Sequence, residues 1–199
     1  GSGILAAALI DHGFSVTGVD LSDAMIELAR ATAPTGALAV GPALDAEIPP
    51  SVGVTATGEV LNYATDPRAG LDALAVIATR VMDALVPGGT FLLDLSTPGR
   101  NVGLNPRHVF HDHETWMLGM HATEDGLQLD RRIVILVREG DGRFRRVDEH
   151  HELVLYDVDE VVAIFEAAGF AVETRAAYTA PTASTPPSGW AVFVASKPR

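Results

Sequence analysis

Three clusters of polar residues in this sequence have the makings of binding or reactive groups. The chain opens Gly1-Ser2-Gly3, and Asp20 stands seventeen positions beyond Gly3 at the end of an apolar run. A glycine turn entering a helix lets backbone approach a ligand, and the helix N-terminus offers N–H donors to a carboxylate or phosphate. An acid ending the next strand can accept both hydroxyl hydrogens of a ribose. The second cluster is the run from Arg145 to Leu153. Strand alternation puts Arg145, Glu149, His151 and Leu153 on one face and Arg146, Asp148, His150 and Glu152 on the other. The first face continues to Leu155 and is expected to point inward. Glu149 and His151 are then the candidates for a general base or a substrate anchor. The alternative is a cross-strand charge ladder with Arg131 and Arg132. The third cluster holds His108, His111 and His113. His111, Asp112 and His113 lack a compatible further ligand, so a solvated loop is favoured and no metal is expected.

The elements that must position these groups follow from periodicity and turn signals. Residues 4–12 read as a helix stopped by Gly13, and residues 14–20 as a buried strand. Ser22 is a suitable N-cap for a helix through Met25, Ile26, Leu28 and Ala29. Short strands are expected at residues 38–41 and 52–57, with a proline-bearing loop over 42–51 between them. A helix over about 70–85 carries apolar residues at helical spacing, from Leu71 to Leu85. Val86-Pro87-Gly88-Gly89 is a turn, and residues 90–95 are a buried strand. This alternation predicts a doubly wound, mostly parallel α/β sheet.

The pattern then changes. Residues 96–107 read as loop. Residues 116–122, 127–138 and 143–156 read as longer strands, with Gly140-Asp141-Gly142 as a hairpin between the last two. Asp157 opens a helix that Gly169 stops. Strands over 170–178 and 190–196 follow, joined by a Pro/Ser/Thr-rich connection at 180–188. The antiparallel stretch at 108–156 reads as an insertion within one domain spanning residues 1–199.

Composition narrows the partners. With 26 acidic residues against 14 Lys and Arg, the formal charge is −12. Such a surface repels phosphate backbones, so neither nucleic acid nor a membrane is expected as a partner. No apolar run reaches the roughly 18 residues of a membrane span. There is no cysteine, which excludes disulfides and thiolate metal sites. A cytoplasmic location, as monomer or homodimer, is the resulting expectation.

The segment Gly1-Ser2-Gly3-Ile4-Leu5-Ala6-Ala7-Ala8-Leu9, followed by Gly13-Phe14-Ser15-Val16-Thr17-Gly18-Val19-Asp20-Leu21-Ser22, resembles the first motifs of class I S-adenosylmethionine (SAM)-dependent methyltransferases. That family's turn follows a first strand and reads Gly-x-Gly-x-Gly. Gly1 and Gly3 match its last two glycines, while the first strand and first glycine are not in this sequence. Leu85 to Asp94 resembles the family's Leu-x-Pro-Gly-Gly turn and fifth strand. Gly58-Glu59-Val60-Leu61-Asn62-Tyr63 resembles the segment after its fourth strand. Phe165-Glu166-Ala167-Ala168-Gly169-Phe170 resembles the end of its last helix, and the final strand would be its antiparallel one.

The resemblance implies a Rossmann-like SAM methyltransferase of the small-molecule type, with SAM as cofactor. Gly1, Ser2 and Gly3 would face the methionine part of SAM, Asp20 the ribose, and Leu21 and Met25 the adenine. A plain core role is the alternative for Met25. Pro42 stands where the family usually has an acid to the adenine amine, which leaves backbone of Ala43 and Leu44 for that contact. Thr57, Gly58 and Glu59 would sit beside the amino-acid end. The insertion would cap the acceptor, an O or N of a small metabolite, with Tyr63, Trp116 and His121 as candidate lining residues. Small-molecule methyltransferases, including sugar N-methyltransferases, carry a similar Glu-x-His strand.

Two other functions remain open from sequence. An NAD(P)-dependent oxidoreductase shares the glycine turn and strand-end acid, but the only lysine, Lys197, is nearly terminal and ill placed for a hydride site. A non-catalytic SAM-fold binding protein is the other.

Overall fold

The computed structural model describes residues 1–101, 103–183, 185 and 187–199. Val102, Ser184 and Pro186, which fall in the two connections expected at 96–107 and 180–188, lie outside the described residues. The chain divides into two compact units, Gly1–Pro49 and Pro50–Arg199.

In the first unit, helix α1 (Ile4–Asp11) leads to strand β1 (Thr17–Asp20), helix α2 (Asp23–Thr32) and strand β2 (Ala37–Val40). A short 3₁₀ turn over Ala43–Asp45 follows Pro42. β1 and β2 pair in parallel, Asp20 opposite Val40. α2 forms where expected because Ser22 caps it, its side chain accepting from the Met25 N–H at 3.3 Å. Asp23 in its first turn and Arg30 in its last complement the helix dipole. Its buried face is Ile26 and Ala29, continued by Ala33 just beyond the helix. β1 is shorter and more exposed than the buried strand expected over 14–20: it begins at Thr17, and Phe14 is 48% exposed. An apolar run does not reveal how many faces a neighbouring layer covers.

The second unit has two four-stranded sheets. The first holds β3 (Ser51–Ala56), β4 (Leu85–Ser96), β9 (Ala171–Arg175) and β10 (Trp190–Ser196) in the order β3-β4-β10-β9. β3 runs parallel to β4, while β10 is antiparallel to both β4 and β9. The antiparallel final strand is therefore present. The sheets are mixed rather than mostly parallel: among the described residues, β1–β2 and β3–β4 pair in parallel and the other strand pairs are antiparallel. Alternating strands and helices show that crossovers exist, but not which strands become neighbours.

Two helices serve this sheet. α3 (Leu71–Ala84) buries Leu74, Ile77, Ala78 and Val81 on one stripe. Lys197 donates from Nζ to the carbonyls of Met82 and Leu85, each at 2.7 Å, and so caps the end of that helix. α4 (Val158–Ala167) starts at Asp157, whose carboxylate accepts from the Asp159 and Glu160 N–H groups. It seats Phe165 against Phe91, Phe170 and Phe193 at the centre of the core. The expected Pro-Gly-Gly turn lies within the first residues of β4 as an irregularity, where the register with β3 shifts between Ser51 and Gly53.

The second sheet is an antiparallel meander, β5 (Arg107–Asp112), β6 (Trp116–Asp125), β7 (Gln128–Arg138) and β8 (Phe144–Val154). Ala122, Leu129, Leu153 and Leu155 form a small core with Tyr63 and Met120. This core covers one face, and the alternation of β8 then follows: Leu153 is buried and His151 half-buried, while His150 and Glu152 are exposed. No described helix is long and apolar enough to cross a membrane.

Candidate active site

In the first unit, Gly3 caps α1 with φ of 83°, a left-handed conformation that glycine adopts without strain. It also sits against α2, because a Cβ there would fall 2.8 Å from the Ala29 Cα. Gly3→Ala should therefore cost about 1–3 kcal/mol through backbone strain and overlap, read as a lower thermal midpoint.

Asp20 ends β1. Its Oδ1 accepts from the Ser22 N–H at 2.8 Å. It is thus an acceptor beside a glycine turn. Leu21 and Met25 are 56% and 40% exposed, so Met25 is not core. Ala43 and Leu44 lie in the 3₁₀ turn. A glycine bend, a strand-end acid, helix N–H groups and exposed apolar side chains suit the carboxylate, ribose and adenine of SAM.

In the second unit the chemistry gathers after β3 and along the inner face of the meander. Gly58 and Glu59 both have positive φ, 87° and 59°. Asp94 on β4 holds this bend, accepting from the N–H of Gly58 at 2.7 Å and of Glu59 at 2.6 Å. Tyr178 also donates to Asp94, and burial together with that carboxylate pushes the phenol well up.

The bend turns the Glu59 carboxylate into the protein, where the residue is only 7% exposed. There it accepts from Ser96 Oγ at 2.6 Å and Arg100 at 2.9 Å, and it pairs with Arg131 at 2.7 Å. Burial pushes Glu59 up, yet Arg131, Ser96 and Arg100 together hold it below the usual carboxylate value. The Glu59 carboxylate, expected beside the amino-acid end of the cofactor, is held by Arg131, Arg100 and Ser96.

Arg131 lies directly across from His151 in the β7–β8 register. It turns to Glu59, and Arg132 has Asp130 3.7 Å away, so neither builds the charge ladder considered from sequence. Glu149 Oε2 lies 3.3 Å from His151 Nε2, and the His151 ring meets Tyr63 edge-on at 5.3 Å between centroids. Tyr63 is positioned by backbone: it bridges Leu153, while the Asn62 carbonyl accepts from Val154 and the Ala64 N–H donates to Glu152. Buried Asn62 fixes this segment further through bonds to Ser96 and Val154. Burial pushes the Tyr63 phenol up, Arg131 opposes this, and Glu59 and Glu149 add to it.

The structure therefore brings Tyr63, Glu149 and His151 together, and separates Trp116 and His121 from them. Trp116 pairs with Val137 near the far end of the meander and stacks on His113. His121 pairs with Arg132, one position out of phase with the His151 row, so alternation puts it on the outer face. It lines a shallow cavity of about 430 Å³ with His108, Phe110, Arg132 and Val134. Asp94, Arg100 and Tyr178 were not legible as site residues. Asp94 alone carried a signal, as an acid near the end of an apolar strand.

Residues 1–93 match the methyltransferase domain family. A proposed methyltransferase of Geobacillus sp. (strain WCH70) is 26% identical over 206 residues, covering 99% of this chain and 81% of that protein. A SAM-dependent methyltransferase from Clostridium acetobutylicum superposes with a TM-score of 0.85 at 18% identity, covering 100% of this chain and 81% of that one. CalS10, an amino pentose methyltransferase from Micromonospora echinaspora solved with SAM bound, gives 0.76 at 19% identity, with 99% and 80% covered. Asp20→Ala should weaken SAM binding by about 1–3 kcal/mol, the scale of lost charge-assisted hydrogen bonds, as measured by calorimetry. The domain match over residues 1–93 and the shared fold make this chain similar to SAM-dependent methyltransferases, and its glycine turn and strand-end acid stand within the matched segment.

Proposed function

We propose that this protein methylates an oxygen or nitrogen of a small metabolite, with His151 as the general base. SAM, when bound, would supply an electrophilic methyl to the acceptor, with S-adenosylhomocysteine as the leaving group. In this reading, Gly1, Ser2, Gly3 and Asp20 hold the methionine and ribose portions of the cofactor. Leu21, Met25, Ala43 and Leu44 serve the adenine, and Thr57 and Gly58 the amino-acid end.

On the acceptor side, His151 takes the proton that the nucleophile loses, and Glu149 orients the imidazole and stabilises its cation. Tyr63, kept as a neutral phenol, offers the acceptor a hydrogen-bond donor. Arg131 is held in place by Glu59, and residues 108–156 act as a β-rich cap within a single methyltransferase domain.

The observation that carries this reading is the grouping of His151, Glu149 and Tyr63 on the inner face of the meander. The amino pentose substrate named for CalS10 makes amino sugars the first acceptors to try. The test is S-adenosylhomocysteine release in a panel of amino sugars, small amines and phenols. Acceptor-dependent release is expected. A protein that binds SAM yet releases none with any class of small acceptor would contradict the reading.

A further inference from the structure

The outer face of the meander carries a second group of donors that methyl transfer does not use. Asp130 on β7 stands directly opposite Glu152 on β8. His150, two residues before Glu152, shares that face and directs Nε2 at Asp130. One donor atom from each of the three lies within 4.8 Å of the other two, and all three side chains reach solvent. Among the described residues this is the one set of three or more His, Asp and Glu groups within reach of a common ion.

The arrangement has an electrostatic cost unless something is added. Like charges directly opposite on neighbouring strands repel, and one imidazole cannot neutralise two carboxylates. The nearest arginine is a weak substitute: Arg132 Nε is 3.7 Å from Asp130, and its side chain is 73% exposed. Arg146 is bound to Asp148. A divalent cation would neutralise both acids and use the imidazole as its third donor.

We propose that Asp130, His150 and Glu152 form a divalent-metal site of the zinc type, completed by water. One nitrogen and two carboxylate oxygens suit Zn²⁺, whose open positions water can fill. The donors sit on two hydrogen-bonded strands, so only side-chain rotation is needed to close around an ion at about 2.0–2.2 Å. The sequence hides the set, because two donors alternate along one strand and the third comes from its neighbour through the register.

Such an ion would fasten β7 to β8 at the rows adjoining Arg131 and His151, which point to the opposite face. It would act as a staple rather than in catalysis, and its existence is independent of the methyl acceptor.

The test is titration of the whole protein with Zn²⁺ by calorimetry, with Co²⁺ absorption as a spectroscopic probe of the ligand set. Saturable binding of one ion per chain is expected, with a rise in thermal midpoint. H150A and E152Q should each lower the affinity tenfold or more and abolish the rise. H121Q, altered on the same face beyond the donor set, should bind as the unaltered protein does. All three variants are at solvent-reaching positions, and their folding is checked by midpoint without metal. Absence of saturable binding, or equal binding in H150A, would overturn the proposal.

Discussion

Glu59→Ala is expected to destabilise the protein by about 3–5 kcal/mol, because it leaves a buried arginine without its counter-ion. Glu59 and Arg131 side chains are only 9% and 12% exposed, so water cannot fully replace the lost partner. Arg100, at 32%, is better solvated and places the effect nearer the lower figure. Alanine also keeps the strain of a left-handed backbone without the carboxylate that offsets it. Glu59→Gly removes the same carboxylate but tolerates φ of 59°, and should recover about 1 kcal/mol of the loss.

The pH dependence has a definite sign. The folded-state value of Glu59 is depressed from its ordinary 4.5, so its stabilising contribution is fully present above 4.5. That contribution is lost as pH falls through the depressed value. Urea unfolding at neutral pH and in acid checks this: the gap between the natural protein and Glu59→Ala should narrow on acidification.

His151→Ala should lower kcat by about 10²–10⁴-fold, the usual contribution of a positioned acid–base group. The thermal midpoint should move little by comparison, since the ring is half-buried and its contacts are the edge of Tyr63 and an exposed Glu149. SAM affinity should stay within twofold. Loss of the acid limb of the kcat–pH profile in the variant would tie the effect to proton removal. A parallel loss of stability and rate would instead mark His151 as a packing residue.

Much of the framework was legible in the chain. Ser22 and Asp157 announced two helix starts, Gly140-Asp141-Gly142 a hairpin, and the alternation from Arg145 to Leu153 an inward face bearing His151. These are local signals, carried by residues a few positions apart. What was not legible depends on register and distant pairing. Trp116 and Tyr63 both look like pocket-lining aromatics in sequence, but the β6–β7 ladder carries Trp116 to the far end of the sheet. Single-residue phase, fixed by pairing with Arg132, puts His121 on the outer face. The grip of Arg100 and Arg131 on Glu59 joins groups 41 and 72 positions apart, a closeness that no local periodicity encodes. Glu59 was noticed only through its resemblance to a known segment, which located the bend but not the arginines that its side chain engages.

The most direct measurement for the central claim is calorimetric titration of the protein with SAM, run beside NADH under the same conditions. Saturable binding of one SAM per chain, with no saturable NADH binding, is the predicted result. Saturable NADH binding without SAM binding would contradict it, since the glycine turn and Asp20 would then serve a dinucleotide.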